Sequence, residues 1–327
     1  MAKKNHSNRG RKPRPVTHLH KAGIVYPSAW SKIDVFRDDK GKGLPDWPDW
    51  CFMPMAAWHS IVCSELGVSM LGPDQVADVS MLSAIGPWRY TQSIYQIDPD
   101  LYSSIIETVP RGAIPTEVLY RMPEWSLYVE TPGMKWMEVD VPGFFVHLEW
   151  DAQSGGSELR FLLDTFDGFV PLVLHLGQHT ITESVDRWLS KSSAQNGFFA
   201  ELRRKLDIDS GVAATEKLSK SIYPFISLTL YICSNGVDYS TVSAPNRPEK
   251  KKTKKGWKLF AANKPRYWML GKSIGESIRR QSVQQKRRVV QFRLTSDVRT
   301  GTDIGWLWRR QGVCFKVYLC NVSRVKR

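Results

Sequence analysis

Alternating apolar and polar residues in the middle of this 327-residue chain constrain its fold more than any other feature. Residues 125–130 and 144–150 alternate with a period of two, which is typical of strands buried on one face. Residues 159–165 and 169–176 flank an Asp-Gly pair at 167–168, a dipeptide that favours a hairpin. The pattern predicts an antiparallel sheet of about four or five strands.

Helical spacing of apolar residues precedes these strands. Residues 55–66 predict one helix, and residues 73–87 predict a second that its Gly-Pro pair kinks or ends. Trp88, Gln92 and Tyr95 follow at i, i+4 and i+7, which predicts a further helical segment with these side chains on one face.

Helical signals return after the strands. Thr180 and Glu183 have the spacing of a capping box, and residues 218–233 predict a longer apolar helix. Because helices precede and follow the strands without alternating with them, we predict an α+β fold, an antiparallel sheet with flanking helices. A smaller basic C-terminal part adds an amphipathic helix from Trp268 and a small sheet within residues 289–319.

Charge divides the chain into segments of opposite sign. The net charge is +14, yet residues 1–21 contain seven basic and no acidic residues, and residues 241–327 contain 23 basic and four acidic residues. Residues 22–240 therefore carry −12. An acidic body between basic ends indicates one surface for a basic partner and another for phosphate.

These patterns predict four parts. We expect a disordered basic arm at residues 1–22, an α+β peptide-recognition body at 23–240, a basic linker at 241–264 and a basic RNA- or ribosome-contacting part at 265–327. Apolar runs are too short for a membrane helix, the basic N-terminus lacks the apolar segment of a signal peptide, and five cysteines without a CxxC pair fit a reducing compartment. We expect a cytoplasmic protein.

Motifs for catalysis are missing from the sequence. It contains neither a P-loop nor a GxSxG elbow. His147, Glu149, His175 and His179 make a metal site conceivable, but His175 and His179 do not share a face at a strand end, so a structural role is favoured. The basic C-terminal part has too few carboxylates for a metal-dependent nuclease. We expect no enzyme activity, cofactor or metal.

Aromatic residues beside charges indicate binding surfaces. Large rigid aromatics are frequent in recognition pockets, although many of the 13 tryptophans must belong to the core. The predicted peptide-binding residues are Trp88, Arg89, Tyr95, Trp125 and Tyr128.

Basic residues interleaved with aromatics mark the C-terminal part. Arginine and lysine contact phosphates while aromatic rings stack on bases, a combination that RNA-binding proteins use. The alternative is a solvated linker, the usual meaning of a lysine run. The predicted RNA-binding residues are Lys251, Lys252, Lys254, Lys255, Arg279, Arg280, Arg309 and Arg310.

Four runs of sequence resemble a family of type V-A anti-CRISPR proteins carried by phages and plasmids. They read GPWRYTQSIYQID at 86–98, MPEWSLYVE at 122–130, YWMLGKSIGESIRR at 267–280 and FKV at 315–317 before Val322. The first run is fairly specific and the others are weak alone.

This resemblance implies an inhibitor that lowers the level of the type V-A CRISPR effector nuclease in the cytoplasm of a bacterial host. The implied mechanism is recognition of the effector's nascent N-terminal peptide, followed by loss of its messenger RNA through host machinery. The partners are then that peptide and the messenger or ribosome. The family's His- and Arg-rich stretch has no histidine in the corresponding residues 289–310, so the target can differ. A plasmid or phage RNA- or DNA-binding regulator without peptide specificity, and an unrecognised nuclease, stay open.

Overall fold

The computed structural model describes residues 12–195, 212–239, 244–254 and 256–282, together with three short strands within residues 291–317. No helix in these ranges combines the length and the apolar character that a membrane crossing requires.

Helices precede the first strand. They are α1 (Arg14–Val25), α2 (Ala29–Asp38), α3 (Met55–Leu66) and α4 (Pro73–Trp88). The helix α1 lies largely in the segment predicted as a disordered arm, so the structure corrects that part of the prediction. Pro15 is compatible with a helix because it lies in the first turn, where a backbone N–H has no intrahelical partner.

The elements of the central region then follow. They are β1 (Ser93–Ile97), α5 (Pro99–Ile106), α6 (Thr116–Leu119), β2 (Ser126–Glu130), β3 (Lys135–Trp136), β4 (Val139–Asp140), β5 (Gly143–Trp150), β6 (Ser157–Asp164) and β7 (Phe169–His175). Helices α7 (Ile181–Gln195) and α8 (Val212–Cys233) come next.

The C-terminal third adds strands and one helix. They are β8 (Lys251–Thr253), β9 (Gly256–Lys258), β10 (Arg266–Leu270), α9 (Lys272–Ser282), β11 (Gln291–Thr295), β12 (Gly305–Arg310) and β13 (Val313–Val317). Strands β8 and β9 form a hairpin, and β11, β12 and β13 form an antiparallel sheet.

One mixed sheet organises the body, in the order β10-β1-β2-β5-β6-β7. Strand β1 runs parallel to both β2 and β10, and the remaining neighbours are antiparallel. Helices cover both faces. On one face Tyr128 and Phe145 pack against Trp88 of α4, and on the other Phe144 packs against Phe225 of α8 with ring centroids 5.2 Å apart.

The predicted α+β fold class is confirmed. The strands predicted from alternation became β2 and β5 to β7, and the alternating C-terminal segments became β11 to β13. The capping box is also present, because Thr180 N donates to Glu183 Oε2 at 2.7 Å and Glu183 N donates to Thr180 Oγ1 at 3.2 Å.

Two segments predicted as helix are strands. Tyr95 was expected on a helix with Trp88, but Gln92 adopts a φ of 47° and ends the helical path, so the chain enters β1 at Ser93. Trp268 was expected on the amphipathic helix, but it lies in β10, and Gly271 at a φ of 72° separates that strand from α9.

Strand β10 also alters the predicted division into parts. The boundary was drawn at residue 264, yet β10 pairs with β1 along its whole length, from Ser93 beside Arg266 to Ile97 beside Leu270. The body's sheet therefore includes a strand from the segment assigned to the C-terminal part. Without β10, strand β1 would be left with an unpaired edge.

Candidate functional site

A buried carboxylate anchors α1 to the six-stranded sheet. Asp164, at the end of β6, is fully buried. Arg14 Nε donates to its Oδ2 at 2.9 Å, His18 Nε2 lies 2.9 Å from its Oδ1, and the Tyr128 hydroxyl donates to Oδ2 at 2.8 Å. Burial alone disfavours the charged carboxylate, but the hydrogen bonds from Arg14 and His18 outweigh burial and lower the pKa of Asp164. The N-terminal helix is thus fixed beside the ends of β2 and β6.

An open cleft of about 400 Å³ lies beside this anchor. We call it the acidic cleft. Its walls come from α1, the end of β2, the β3–β4 hairpin and the turn between β6 and β7, and its lining residues are Arg14, Tyr128, Glu130, Pro132, Gly133, Met134, Asp140, Val141, Pro142 and Phe166. The side chain of Phe166 is 70% exposed, so an aromatic surface is available at the mouth.

The charges that remain available in the acidic cleft are negative. The Arg14 guanidinium is paired with Asp164 and lies 4.8 Å from the Phe166 ring centroid. Glu130 accepts a hydrogen bond from Gln96 Nε2 at 2.6 Å, and neither Glu130 nor Asp140 pairs with a basic side chain in the described ranges. Two carboxylates beside an exposed ring and apolar walls favour a cationic ligand with an aliphatic or aromatic stem.

Three of the five predicted peptide-binding residues belong to the core. Trp88 and Tyr95 are fully buried and offer no surface to a peptide in this conformation, and Tyr128 is 1% exposed. Trp88 Nε1 donates to the carbonyl of Ser93 at 2.7 Å, which shows how its one polar atom is satisfied internally. Tyr128 still lines the acidic cleft. The prediction is therefore corrected for Trp88 and Tyr95, whose role here is packing.

The other two predicted peptide-binding residues are half-buried. The Arg89 guanidinium lies 5.3 Å from the ring centroids of both Trp30 and Tyr90. Trp125 Nε1 donates to the carbonyl of Asp49 at 3.0 Å. Neither residue lines the acidic cleft, so the structure does not bring the five predicted residues together.

A second buried carboxylate links the strands at the other end of the sheet. Glu124 is 2% exposed and accepts hydrogen bonds from Thr91 Oγ1 at 2.9 Å and Ser93 Oγ at 2.6 Å. Trp268 Nε1 of β10 donates to Ser93 Oγ at 3.0 Å. Burial raises the pKa of Glu124 to about 7, although the hydroxyl groups oppose that shift. This network holds β10, β1 and the start of β2 together and was not foreseen from sequence.

The residues weighed as metal ligands lie among buried polar side chains. His175 Nδ1 pairs with Glu158 Oε1 at 3.1 Å, and burial lowers the pKa of His147 to about 3. Glu149 accepts the backbone N–H of Met55 at 2.8 Å, and burial raises its pKa to about 8. Within the described part of the chain, no three His, Cys, Asp or Glu side chains are arranged to hold a metal ion.

The predicted RNA-binding residues separate into three groups. Lys251, Lys252 and Lys254 are exposed on the β8–β9 hairpin. Arg279 binds Asp98 at 3.0 Å and Asp100 at 2.6 Å. It is 43% exposed, and its charge fixes α9 onto α5.

The remaining predictions in this set fall partly outside the described structure. Arg280 is 83% exposed and lies 3.9 Å from Glu276. Arg309 and Arg310 end strand β12, but their side chains are outside the description, as is Lys255 altogether.

Comparison with known proteins decides the family. The sequence model of a protein family named AcrVA2-like, described as the Anti-CRISPR type V subtype A2 family, matches residues 95–302. This chain belongs to that family. Membership in the Anti-CRISPR type V subtype A2 family confirms the resemblance seen in sequence and supports an anti-CRISPR function.

One solved structure and one curated protein are similar to this family member. The crystal structure of AcrVA2 superposes with a TM-score of 0.61 at 18% identity, covering 94% of this chain and 97% of that one, which shows a shared fold. Protein FinQ of Escherichia coli is 28% identical over 210 residues, which are 59% of this chain and 58% of FinQ. The match thus spans little more than half of FinQ.

Three of the runs that carry the anti-CRISPR family resemblance meet in space. Residues 86–98 supply the end of α4 and β1, residues 122–130 supply β2, and residues 267–280 supply most of β10 and α9. These strands are neighbours in the order β10-β1-β2. The residues that carry the family resemblance therefore build the end of the sheet where the strands are parallel. The acidic cleft lies toward the β2–β7 end, and of its lining residues only Tyr128 and Glu130 belong to those runs.

Proposed function

We propose that this anti-CRISPR family member recognises the nascent N-terminal peptide of a type V-A CRISPR effector nuclease and triggers loss of the effector's messenger RNA. The observation that carries the peptide half of this proposal is the acidic cleft, whose carboxylates Glu130 and Asp140 flank the exposed Phe166 ring. Family membership supports the anti-CRISPR role.

The size and chemistry of the acidic cleft suit a short basic peptide. A volume of about 400 Å³ is enough for one or two side chains and is within the range of ligand pockets. A lysine or arginine can place its charge between Glu130 and Asp140 while its aliphatic stem lies along Pro132 and Pro142. The body's net charge of −12 would favour the approach of such a peptide.

The basic residues supply the second contact in this proposal. Lys251, Lys252, Lys254 and Lys255 on or beside the hairpin, with Arg280, Arg309 and Arg310, are proposed to contact the messenger or the ribosome. The protein then acts as an adaptor without catalytic residues or cofactor of its own, and a host nuclease degrades the message.

The test separates the encoded peptide from the RNA. The effector is expressed beside this protein with its first codons either native, recoded synonymously, or scrambled to change the peptide, and messenger abundance is measured by quantitative reverse transcription. We expect depletion with the native and synonymous codons and none with the scrambled peptide. Equal depletion with the scrambled peptide would refute peptide recognition.

Variants of the cleft make the test specific to its residues. The double variant Glu130→Gln, Asp140→Asn is expected to abolish depletion, because it removes both carboxylates with little change of shape. The matched control is Glu107→Gln, Glu117→Gln, which removes two exposed carboxylates, one just after α5 and one in α6. Depletion that survives in the first variant as in the control would remove the acidic cleft from the proposal.

A regulator that binds RNA or DNA without peptide specificity is the second candidate. The exposed lysines of the β8–β9 hairpin favour it. The two functions differ in their response to salt, because phosphate contacts weaken steeply with ionic strength whereas capture of a peptide stem by apolar walls does not.

A further inference from the structure

The β8–β9 hairpin carries exposed aromatic rings as well as lysines. Trp257 is 59% exposed and Phe260, two residues after β9, is 53% exposed. Large aromatic side chains are seldom left in solvent when a core is available, and this chain buries Trp58, Trp88, Trp136 and Trp268 almost completely. The chain therefore has a core that can bury large aromatic rings, and the exposure of Trp257 and Phe260 indicates a role at the surface.

The register of the hairpin places charge beside the ring. Lys252 lies directly opposite Trp257 in the antiparallel pair, so the two side chains share a face of the hairpin. Lys251 and Lys254 are exposed on the same short hairpin. Lys252 is therefore the lysine beside the exposed indole, where a cation can meet the phosphate of a base that stacks on the ring.

The support beneath the hairpin keeps it in place. Lys258 Nζ lies 3.9 Å from Asp34 and Lys250 Nζ lies 3.7 Å from Asp38, both on α2. Leu259, between the two exposed aromatics, is 9% exposed and packs into the core around α1 to α4. The lysines that face α2 are therefore used as anchors, whereas Lys251, Lys252 and Lys254 make no ion pair with a described residue.

The backbone after the hairpin is fixed as well. Ala262 N donates to the carbonyl of Arg89 at 3.3 Å, and Gln92 Nε2 donates to the carbonyl of Ala262 at 2.5 Å. Phe260 thus lies between a buried leucine and a residue bonded to the α4–β1 turn. A backbone that is already held in place lowers the entropy cost of binding a ligand beside it.

We propose that this hairpin is a stacking platform for single-stranded RNA, with bases on Trp257 and Phe260 and phosphates on Lys251, Lys252 and Lys254. Exposed rings distinguish this ligand from duplex RNA, whose bases are stacked internally and offer no free face. The inference deepens the proposed messenger contact and rests on it for the choice of RNA. It does not depend on peptide recognition.

The experiment is a binding titration of the full-length protein with a fluorescent oligouridylate of about 15 nucleotides, a length that covers one compact binding site. Trp257→Ala, Phe260→Ala is expected to weaken binding about tenfold or more, because each stacked base contributes that order of affinity. The dependence of affinity on salt should be unchanged in this variant, since no charge is removed.

A charge variant reports on the phosphate half of the platform. Lys251→Gln, Lys252→Gln, Lys254→Gln is expected to lower the slope of log affinity against log salt by about 2. The matched control removes three exposed lysines elsewhere, Lys21→Gln, Lys42→Gln, Lys217→Gln, and gives the same net charge. If both triple variants lose affinity and slope equally, net charge alone explains binding and the platform is refuted.

Further variants show whether a loss of RNA binding comes from the missing rings of the hairpin or from a general effect of the substitutions. Trp257→Phe keeps a stacking face and should bind within about threefold of the native protein. Phe166→Ala, which removes an exposed ring from the acidic cleft, should leave oligouridylate binding unchanged. Thermal unfolding checks that every variant is folded.

Two outcomes would overturn the inference. One is oligouridylate binding by the double aromatic variant that equals the native protein. The other is equal loss of affinity and salt dependence in the two triple lysine variants; if the double aromatic variant binds RNA normally but loses messenger depletion in cells, a protein partner on the hairpin is indicated instead. Neither outcome bears on the scrambled-peptide test, so failure of the platform and failure of peptide recognition are distinguishable.

Discussion

Buried carboxylates in this protein have opposite pKa shifts because their neighbours differ. Asp164 is surrounded by Arg14, His18 and the Tyr128 hydroxyl, and its pKa is lowered. Glu149 is as deeply buried, but its close hydrogen bond comes from the backbone N–H of Met55, and its pKa rises to about 8. Burial dominates where donors are few, and charged donors dominate where they converge.

Removing the Asp164 charge tests the anchor of α1. Asp164→Asn is expected to lower the free energy of unfolding by about 2–3 kcal/mol at pH 7, because Arg14 loses its buried partner. Since the folded pKa of Asp164 lies below the unfolded value, this stability is present above about pH 4 and lost as the pH falls through the folded pKa. Urea unfolding from pH 7 to about pH 3 should show the variant and the native protein converging.

The control for that anchor is three residues away. Asp167 is exposed in the turn between β6 and β7, and Asp167→Asn is expected to leave the free energy of unfolding unchanged within about 0.5 kcal/mol. An equal loss in both variants would mean that the turn, not the buried carboxylate, determines stability.

The raised pKa of Glu149 predicts a pH dependence of stability opposite in sign to that of Asp164. The pKa of Glu149 in the folded protein, about 8, lies above the unfolded value. Its contribution to the free energy of unfolding is therefore fully present in acid and is lost as the pH rises through about 8. The native protein should lose roughly 1 kcal/mol per pH unit between about pH 5 and pH 8 from this group. Urea unfolding of Glu149→Gln should show a flatter profile, whereas the exposed-site control Glu138→Gln should follow the native protein; identical profiles for all three would contradict the assignment.

Residue type and neighbours in sequence predicted the binding residues only in part. Trp88 and Tyr95 lie beside Arg89 and Gln92, which suggested a mixed groove, but the Trp88 ring packs from α4 onto the sheet and the Tyr95 ring is buried in a separate core cluster. The acidic cleft was missed because its lining comes from segments that are distant in sequence, from Arg14 to Phe166. Its one signal in the sequence was the negative charge of the body, which indicates a class of partner without locating it.

At the scale of elements, antiparallel strands were predictable and parallel strands were not. Strands β5 to β7 are joined by short connections and alternate, whereas β1 is buried almost throughout and the edge strand β10 has apolar residues in succession from Tyr267 to Leu270, so neither shows a clean alternation. Their apolar residues also fit helical spacing, so the choice depends on Gln92 and Gly271, where positive φ values redirect the chain. Periodicity alone does not show such a turn.

The contact between α9 and α5 gives a test at this scale. A Cβ on Gly275 would overlap the carboxylate of Asp98, which is 6% exposed and held by Arg279. Gly275→Ala should therefore lower the free energy of unfolding by about 1–2 kcal/mol, as overpacking exceeds the gain in helix propensity. The control is Gly43→Ala, where a Cβ would meet no atom within 4 Å, and chemical denaturation should show no loss there. If Gly275→Ala has the same denaturation midpoint as the native protein, α9 shifts without cost to accommodate the added methyl group.

For the whole molecule, the division by charge and the division by folding do not coincide. The sign of the charge changes near residue 240, but the sheet continues through that point to Leu270. Basic segments are therefore part of the folded body, and the hairpin of β8 and β9 lies on α2 through Lys250 and Lys258. Within the described ranges, the acidic and basic surfaces therefore belong to one folded structure, which we expect to unfold cooperatively.

Truncation tests that cooperativity. A chain ending at residue 264 lacks β10 and with it Trp268 and Leu270, which are 1% and 0% exposed in the main core. Losing two such side chains costs about 4–10 kcal/mol, comparable with the whole stability of a typical domain of about 5–15 kcal/mol. A chain ending at residue 282 keeps every strand of the six-stranded sheet. We expect cooperative thermal unfolding for the longer truncation and aggregation or no transition for the shorter one. A shared unfolding midpoint would instead show that residues 23–264 fold as an independent body, with β10 an accessory strand.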